Sequence, residues 1–311
     1  MAQAKGVQQL SVVSALRYLV VSTRPRQWIK NIIIYLALFF TIDQRWDPQE
    51  VSQMASLLGK VTLGFIIFCM LSGAIYLLND LVDKDRDQFH WRKKARPLAS
   101  GRLAPWVALI AGIILAYASL IFSFFLSPGF GMVSILYLAL MLAYSLVLKT
   151  IVILDVLTIS AGFVLRAAAG AVVIGAPISP WLYMTTSLGA LFLAFSKRRN
   201  ELAIGGEGSG VHRETLKSYT IGLLDQFIPL VGAATLVAYI FYTFTADTLP
   251  NNHAMMLTIP FVMFGIFRYL YLMHQHNLGE SPEEVLFTDL PMLSNICLWL
   301  VTATTILLVF R

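Results

Sequence analysis

The sequence predicts an all-α polytopic membrane protein with about nine transmembrane helices. Hydrophobic residues make up 58% of the 311 residues and charged residues only 13%, whereas a typical soluble domain has about a quarter charged residues. Apolar segments long enough to span a bilayer recur along the whole chain. No second soluble domain or low-complexity linker interrupts them, so we expect one integral-membrane domain over residues 1–311.

The elements follow one another in a simple order. Residues 1–27 form a cytoplasmic segment in which residues 10–21, apolar but interrupted by Arg17, predict an interfacial helix. The predicted spans are then 28–42, 61–78, 104–126, 132–148, 151–174, 181–195, 220–244, 254–273 and 291–309. Cys69 and Cys297 fall inside spans without metal-ligand spacing, and we interpret both as packing residues.

Positive charge is segregated between the two sides of these spans. Basic residues gather before the first span and in two loops, residues 79–103 and 196–219, whereas the opposite connections carry few. The positive-inside rule then places the N-terminus and both loops in the cytoplasm and the C-terminus outside. We expect the protein to lie in the cell (inner or plasma) membrane. The net charge of +6 mainly reflects this topology. It also suits anionic membrane lipids and phosphorylated substrates, and it gives no argument for nucleic acid.

A carboxylate cluster follows the second predicted span. On a helix, Asn79, Asp80, Asp83 and Asp87 share one face, and like charges on one face call for a cation. Mg²⁺ takes carboxylate oxygens together with substrate phosphates, so the motif predicts a site for Mg²⁺, or Mn²⁺, and a diphosphate. The alternative is a solvated helix end, which charged runs commonly form.

Basic residues that could bind phosphate lie near this cluster in sequence or at matching helix ends. Arg92, Lys93 and Arg96 directly follow the aspartates, and Lys197, Arg198 and Glu201 end the sixth predicted span. Positive-inside topology and a simple Arg198–Glu201 ion-pair ladder are the alternatives.

Polar residues also occur inside two predicted spans. Lys30 and Asn31 enter the first span and are expected to face the site, with a membrane anchor as the alternative. Asp155 and Arg166 lie on one stripe of the fifth span, too far apart to pair directly. Because an ionisable residue in a bilayer is costly, we expect Arg166 to meet an anion or an acidic residue of the cluster. Helix–helix packing is the alternative, and it better explains the alanine run 167–171.

The chain resembles the UbiA superfamily of intramembrane prenyltransferases. The hallmark Asn-Asp-x-x-Asp-x-x-x-Asp is complete as Asn79, Asp80, Asp83 and Asp87. The resemblance is closer to the decaprenyl-phosphate phosphoribosyltransferase branch and spans nearly the whole chain. The segments that carry it are 24–31, 76–80, which begins at Tyr76, 96–101, 165–170, 197–202, 216–220 and 279–284. One departure from the wider superfamily is that residues 196–201 contain no second aspartate-rich motif, which weakens the case for a prenyl diphosphate donor.

The resemblance implies a helical bundle around a central cavity open to the cytoplasmic side. It implies transfer of 5-phosphoribosyl from phosphoribosyl pyrophosphate (PRPP) to polyprenyl (decaprenyl) phosphate, for cell-wall arabinan precursors. Asp80, Asp83 and Asp87 would bind the metal as catalytic residues with Asn79. The substrate-binding set would be Lys30, Asn31, Tyr76, Arg92, Lys93, Arg96, Arg166, Lys197, Arg198 and Glu201. The lipid's chain length and the oligomeric state stay open, a homo-oligomer included.

Two other functions remain open at this stage. An aromatic prenyltransferase of the same fold would use a prenyl diphosphate and an aromatic acceptor. A transporter of anionic lipids would carry ionisable groups near the bilayer midplane. Most ionisable residues here lie at the cytoplasmic rim, which disfavours transport.

Overall fold

A computed structural model describes residues 12–42, 44–89, 93–177, 179–205, 214–275, 285 and 288–310. Within these residues the chain is helical, and the β-structure is limited to a single bridge between Ile42 and Trp46. The prediction of an all-α fold is therefore confirmed.

Eleven α-helices are described. They are α1 Val12–Ser22, α2 Leu36–Phe40, α3 Val51–Val82, α4 Lys84–Gln88, α5 Pro105–Leu126, α6 Pro128–Leu146, α7 Leu154–Ile174, α8 Pro180–Gly205, α9 Ile221–Thr245, α10 Ile259–Gln275 and α11 Leu290–Val309. A 3₁₀ helix, Pro25–Tyr35, precedes α2, and shorter 3₁₀ turns occur at Lys93–Ala95, Leu148–Thr150, Glu214–Ser218 and Ala254–Thr258.

Among the described residues, seven helices are long and apolar enough to cross a membrane. They are α3, α5, α6, α7, α9, α10 with the turn before it, and α11. The protein is thus a multi-pass membrane protein. The two other predicted spans correspond to the 3₁₀ helix with α2 and to the first part of α8. The count of nine stays a prediction.

The first predicted span differs from the single helix that hydropathy suggests. Arg24 has a left-handed backbone (φ 54°), Pro25 begins a 3₁₀ helix of 11 residues, and only α2 is α-helical. The β-branched side chains of Ile32, Ile33 and Ile34 lower the α-helix propensity here. This backbone also lies directly against α7 at Gly170, where an added Cβ would be 2.0 Å from the Ile34 carbonyl oxygen.

Helices α3 and α7 form the centre of the bundle. The most apolar stretches of α3 and α7 are 61% and 56% buried, whereas that of α5 is only 17% buried and so lies at the periphery. Helix α3 packs along α5, α7 contacts α8 and the 3₁₀ helix, and α8 pairs with α9. Among the polar side chains described below, Asp80 lies on α3, and Asp155 and Arg166 lie on α7.

The helix connections gather at two ends of the bundle. Contacts join the segments 83–104, 147–153 and 214–220 at one end, which carries the predicted site. A cavity of about 20 Å³ lies at the opposite end, lined in part by Thr41, Pro177 and Thr248. The predicted central cavity, open to the cytoplasmic side, stays a prediction.

Candidate active site

The aspartate motif lies on a helix that is interrupted once. Helix α3 ends at Val82, Asp83 adopts a non-helical ψ of 3°, and α4 begins directly after it. Helical hydrogen bonds continue across the break, since the amides of Asp83 and Asp87 donate to the carbonyls of Asn79 and Asp83, both at 2.9 Å. Asp80 and Asp87 therefore stay on one face across the break, as the spacing predicts.

That shared partner is Arg96. Its Nη1 donates to Asp80 Oδ1 at 3.1 Å and also donates to Asp87 Oδ2. Asp80 and Asp87 are both buried. A single guanidinium nitrogen thus bridges two carboxylates that the sequence assigns to metal binding.

Arg24 is a second cation on Asp80. Its Nη2 donates to Asp80 Oδ1, and its guanidinium carbon lies 4.8 Å from the centre of the Tyr76 ring. The left-handed conformation of Arg24, uncommon for a residue with a side chain, directs the chain from α1 into the 3₁₀ helix at this point. In the sequence Arg24 stands out only as part of the resembling segment 24–31, and no spacing rule predicts its contact with an aspartate 56 residues away.

Lys149 supplies the third cation. Its Nζ donates to Asp83 Oδ1 at 2.6 Å, and the lysine is buried although it lies in a connecting turn. The sequence does not identify Lys149 as a site residue, because a single lysine between two spans is typical of positive-inside topology. Every aspartate of the motif therefore contacts a cation: Asp80 contacts Arg24 and Arg96, Asp87 contacts Arg96, and Asp83 contacts Lys149.

The donor set of this site suits a hard divalent cation. The oxygens of Asp80 and Asp87 converge on one point, and the buried Asn79 Oδ1 has no hydrogen-bond partner among the described residues. Mg²⁺ commonly takes one or two carboxylates and completes its shell with water and substrate phosphate. No group of three or more acidic, histidine or cysteine side chains within the described part of the chain is close enough to hold a metal by itself. The described residues thus offer two converging carboxylates, and a bound metal would take its other ligands from water and substrate phosphate.

A second polar group lies inside the bundle around Arg166. Its guanidinium donates to Asn31 Oδ1 at 2.7 Å, to the Tyr137 hydroxyl at 2.6 Å and to the Gly162 carbonyl at 3.0 Å. All these partners are neutral, so within the described residues Arg166 does not meet an acidic residue of the cluster. Asn31 is buried, and its predicted position at the site stays a prediction. Tyr137 also belongs to this polar group, and the sequence does not predict it because the rest of its span is apolar.

The predicted residues at the end of α8 form a third group. Arg198 Nε donates to Asp155 Oδ2 at 2.9 Å, and its Nη1 donates to Glu201 Oε2 at 2.8 Å. The Arg198–Glu201 pair at i,i+3 is the one that the sequence spacing indicates. It is not a surface ladder, however, because Arg198 is only 2% exposed and Asp155 is fully buried.

Tyr219 connects this group to the segment before α7. Its hydroxyl donates to Asp155 Oδ1 at 2.9 Å and accepts the Ile153 amide at 2.8 Å. Burial raises the pKa of Tyr219 to about 12, so the hydroxyl keeps its proton and remains a donor at neutral pH. The contact holds residues 214–220 against the start of α7.

The other predicted site residues are distributed around these groups. Lys30, Lys93 and Lys197 are partly buried. Arg92 lies outside the described residues, as does the resembling segment 279–284.

Fold and site together define a helical multi-pass membrane protein with carboxylates and cations for phosphorylated substrates at one end of the bundle. Residues 46–206 match the UbiA prenyltransferase family, and the chain belongs to it. Two similar curated proteins are the decaprenyl-phosphate phosphoribosyltransferases of Mycolicibacterium smegmatis, 33% identical over 87% of this chain and 86% of the relative, and of Mycobacterium tuberculosis, 31% identical over 86% of each. Among solved structures, a UbiA homolog from Archaeoglobus fulgidus bound to GPP and Mg²⁺ has a TM-score of 0.70 at 17% identity, covering 93% of this chain and 99% of that one. The recognition of the UbiA fold is thereby confirmed.

Proposed function

We propose that this protein transfers the 5-phosphoribosyl group from PRPP to a polyprenyl phosphate such as decaprenyl phosphate, and releases pyrophosphate. The observation that carries the proposal is the set of three aspartates in α3, α4 and the residue between them, which are paired with Arg24, Arg96 and Lys149. Such a set offers ligands for a metal and for phosphate at one place. The names of the relatives and the lack of a second aspartate-rich motif in residues 196–201 favour PRPP as the donor.

In the proposed reaction an oxygen of the lipid phosphate attacks the anomeric carbon of the ribose. The bond between that carbon and the pyrophosphate oxygen breaks, and the electron pair leaves with pyrophosphate. The acceptor is already anionic, so the step needs no general base. Asp80, Asp83 and Asp87 would hold Mg²⁺, or Mn²⁺, together with substrate oxygens, and Asn79 would be an orienting hydrogen-bond partner. A bound metal supplies Lewis-acid neutralisation of the leaving pyrophosphate.

The cations around the aspartates have a direct role in this scheme. Arg96, together with Lys93 and Arg92, would bind pyrophosphate or the 5-phosphate, and Arg24 and Lys149 lie close enough to the aspartates to join them. Guanidinium groups suit this role because they bind phosphate oxygens in pairs.

The lipid phosphate would be held by a second set of residues. In this proposal it is positioned by four cations, Lys30, Arg166, Lys197 and Arg198. Three neighbours would hold the cationic side chains in place: Asn31 contacts Arg166, Glu201 contacts Arg198, and Tyr76 contacts Arg24. The catalytic end would face the cytoplasm of the cell, and the product would serve as a precursor of cell-wall arabinan.

The test is a transfer assay with the purified full-length protein in detergent. We expect label from PRPP to enter the lipid phase when Mg²⁺ and polyprenyl phosphate are present, and chelator to abolish the transfer. Asp83→Ala should lower the rate by roughly a hundredfold or more, because a metal commonly supplies several kcal/mol. Asp85→Ala is the matched control, since Asp85 is exposed and lies outside the motif.

Two outcomes would overturn the proposal. One is full activity in Asp83→Ala at unchanged Mg²⁺. The other is transfer of a prenyl group from its diphosphate to an aromatic acceptor by folded protein that does not use PRPP.

A further inference from the structure

We propose that α1, together with Lys94, Arg102 and Trp106, forms a surface that binds acidic phospholipids of the surrounding membrane. The surface lies at the end of the bundle that carries the aspartates. None of its residues belongs to the proposed metal or substrate sets, so the inference stands apart from the proposed function.

Helix α1 has no polar face. Its outward half consists of five exposed side chains, of which four are apolar: Val13, Leu16, Arg17, Val20 and Val21. The inward half is apolar too, since Tyr18 and Leu19 pack against the buried cluster around Leu98 and Leu103. A helix at a protein surface in water is normally polar on its outward side, so the outer face of α1 calls for an apolar environment.

The position of α1 in the bundle shows that this environment is lipid. Its 11 residues rise only about 16 Å, which is too short to span a bilayer. Leu19 packs against the cluster that contains Ala108 of α5, and the most apolar stretch of α5 is only 17% buried. The outer face of α1 is thus continuous with the lipid-facing surface of a membrane-spanning helix. Trp106, 66% exposed in the first turn of α5, marks the level of the headgroups, where indole rings are favoured.

The charges around this face select the kind of lipid. Residues 12–26 and 93–106 together carry seven basic residues and no acidic one. Arg17, Lys94 and Arg102 are exposed. Arg17 lies within the apolar face, from which a long side chain reaches the headgroups while its stem stays in lipid. Each Lys or Arg at a membrane surface favours acidic headgroups by about fivefold, so the partner is an acidic phospholipid.

Arg102 joins the loop to α1. Its guanidinium carbon lies 5.5 Å from the centre of the Tyr18 ring, so its charge is held beside the helix. The same two segments supply Arg24 and Arg96, which contact Asp80. A lipid headgroup on this surface therefore lies against the parts of the chain that complete the aspartate cluster.

The experiment measures lipid contact at α1 by the quenching of a fluorescent label. Full-length protein with Cys297→Ala and Leu16→Cys carries a bimane on the new thiol, since Cys69 is buried. It is placed in phosphatidylcholine nanodiscs that contain a small fraction of nitroxide-labelled phosphatidylcholine or phosphatidylglycerol. We expect labelled phosphatidylcholine to quench the bimane at residue 16 but not at Gln88→Cys, an exposed position on α4. No quenching at residue 16 would show that α1 faces water and would overturn the proposal.

The selection of acidic lipid is measured with the same bimane. Labelled phosphatidylglycerol should halve the fluorescence at a concentration about fivefold or more below that of labelled phosphatidylcholine. The triple variant Arg17→Gln, Lys94→Gln and Arg102→Gln should bring this ratio close to one, with quenching by phosphatidylcholine as the internal reference. Equal quenching by both lipids before the substitutions, or an unchanged preference after them, would refute the selection of acidic lipid.

A single-charge comparison controls for the general loss of positive charge. Arg102→Gln alone should lower the preference for phosphatidylglycerol partway. Arg45→Gln removes the same charge at the opposite end of the bundle, where the exposed Asp47 and Glu50 are close in sequence, and should leave the preference at residue 16 unchanged. An equal loss in the two variants would show that net charge, and not this surface, attracts the lipid.

Discussion

At Gly170 two segments of backbone come into direct contact. A Cβ placed there would lie 2.0 Å from the carbonyl oxygen of Ile34, so α7 and the 3₁₀ helix approach each other as closely as glycine allows. The same approach brings Arg166, one turn earlier on α7, within hydrogen-bonding distance of Asn31. The absence of a side chain at Gly170 thus helps to place Arg166 and Asn31, two residues proposed to hold the lipid phosphate.

Gly170→Ala tests this contact. We expect the substitution to destabilise the protein by about 1–3 kcal/mol or more, because backbone atoms cannot move aside as a flexible side chain would. Thermal unfolding in detergent measures the effect. Gly59→Ala is the control, since no atom lies within 4 Å of its added Cβ, and a helical Gly→Ala change is normally neutral or stabilising. Equal stability of the two variants would show that the contact is not as tight as described.

At the scale of elements, the connection between α6 and α7 joins the two loops that carry the predicted site. Lys149 contacts Asp83 after α3, while Asp155, two residues after Ile153, contacts Arg198 at the end of α8. Tyr219 completes the link through the Ile153 amide and the Asp155 carboxylate. A short segment without a sequence motif of its own thereby sets the relative position of both halves of the site.

Tyr219→Phe tests this link. Phenylalanine keeps the ring but loses the hydroxyl, so the Ile153 amide and one oxygen of the buried Asp155 lose a partner. The expected cost is about 1–3 kcal/mol. We expect faster hydrogen exchange at residues 214–220 and at the Ile153 amide. Tyr117→Phe on α5, whose side chain is 68% exposed, is the matched control. Unchanged exchange at both positions in Tyr219→Phe would refute the linking role.

At the scale of the whole molecule, the distribution of basic residues between the two ends of the bundle predicts its orientation in the membrane. The aspartate motif and its cations lie at one end, and the segments around residues 41–50 and 246–258 lie at the other. The excess of basic residues at the first end predicts that it faces the cytoplasm.

Cysteine labelling of intact cells tests this orientation. In protein with Cys297 replaced by alanine, Asn251→Cys should react with a membrane-impermeant maleimide, and Gln88→Cys should react only after the cells are opened. Both positions are exposed at opposite ends of the bundle, and the remaining Cys69 is buried. Labelling of Gln88→Cys in intact cells would reverse the proposed topology.

The sequence alone determined the features that depend on local composition. Hydropathy located the helices, and spacing placed Asp80 and Asp87 on one face, because both signals arise from neighbouring residues. It did not predict the 3₁₀ start of the first span, since that geometry reflects Arg24 at a left-handed position and the close approach of α7.

Only the tertiary structure shows which charged side chains are in contact. Arg24 and Lys149 are 56 and 66 residues from the aspartates that they contact, and Arg166 is 135 residues from Asn31. Hydrophobic periodicity cannot predict contacts between residues so far apart in the sequence, because these contacts form only when whole helices pack together. The sequence therefore defined the membrane class and the aspartate motif. The fold determined that the motif is a charge-balanced cluster, because burial of a carboxylate requires a partner wherever in the chain that partner lies.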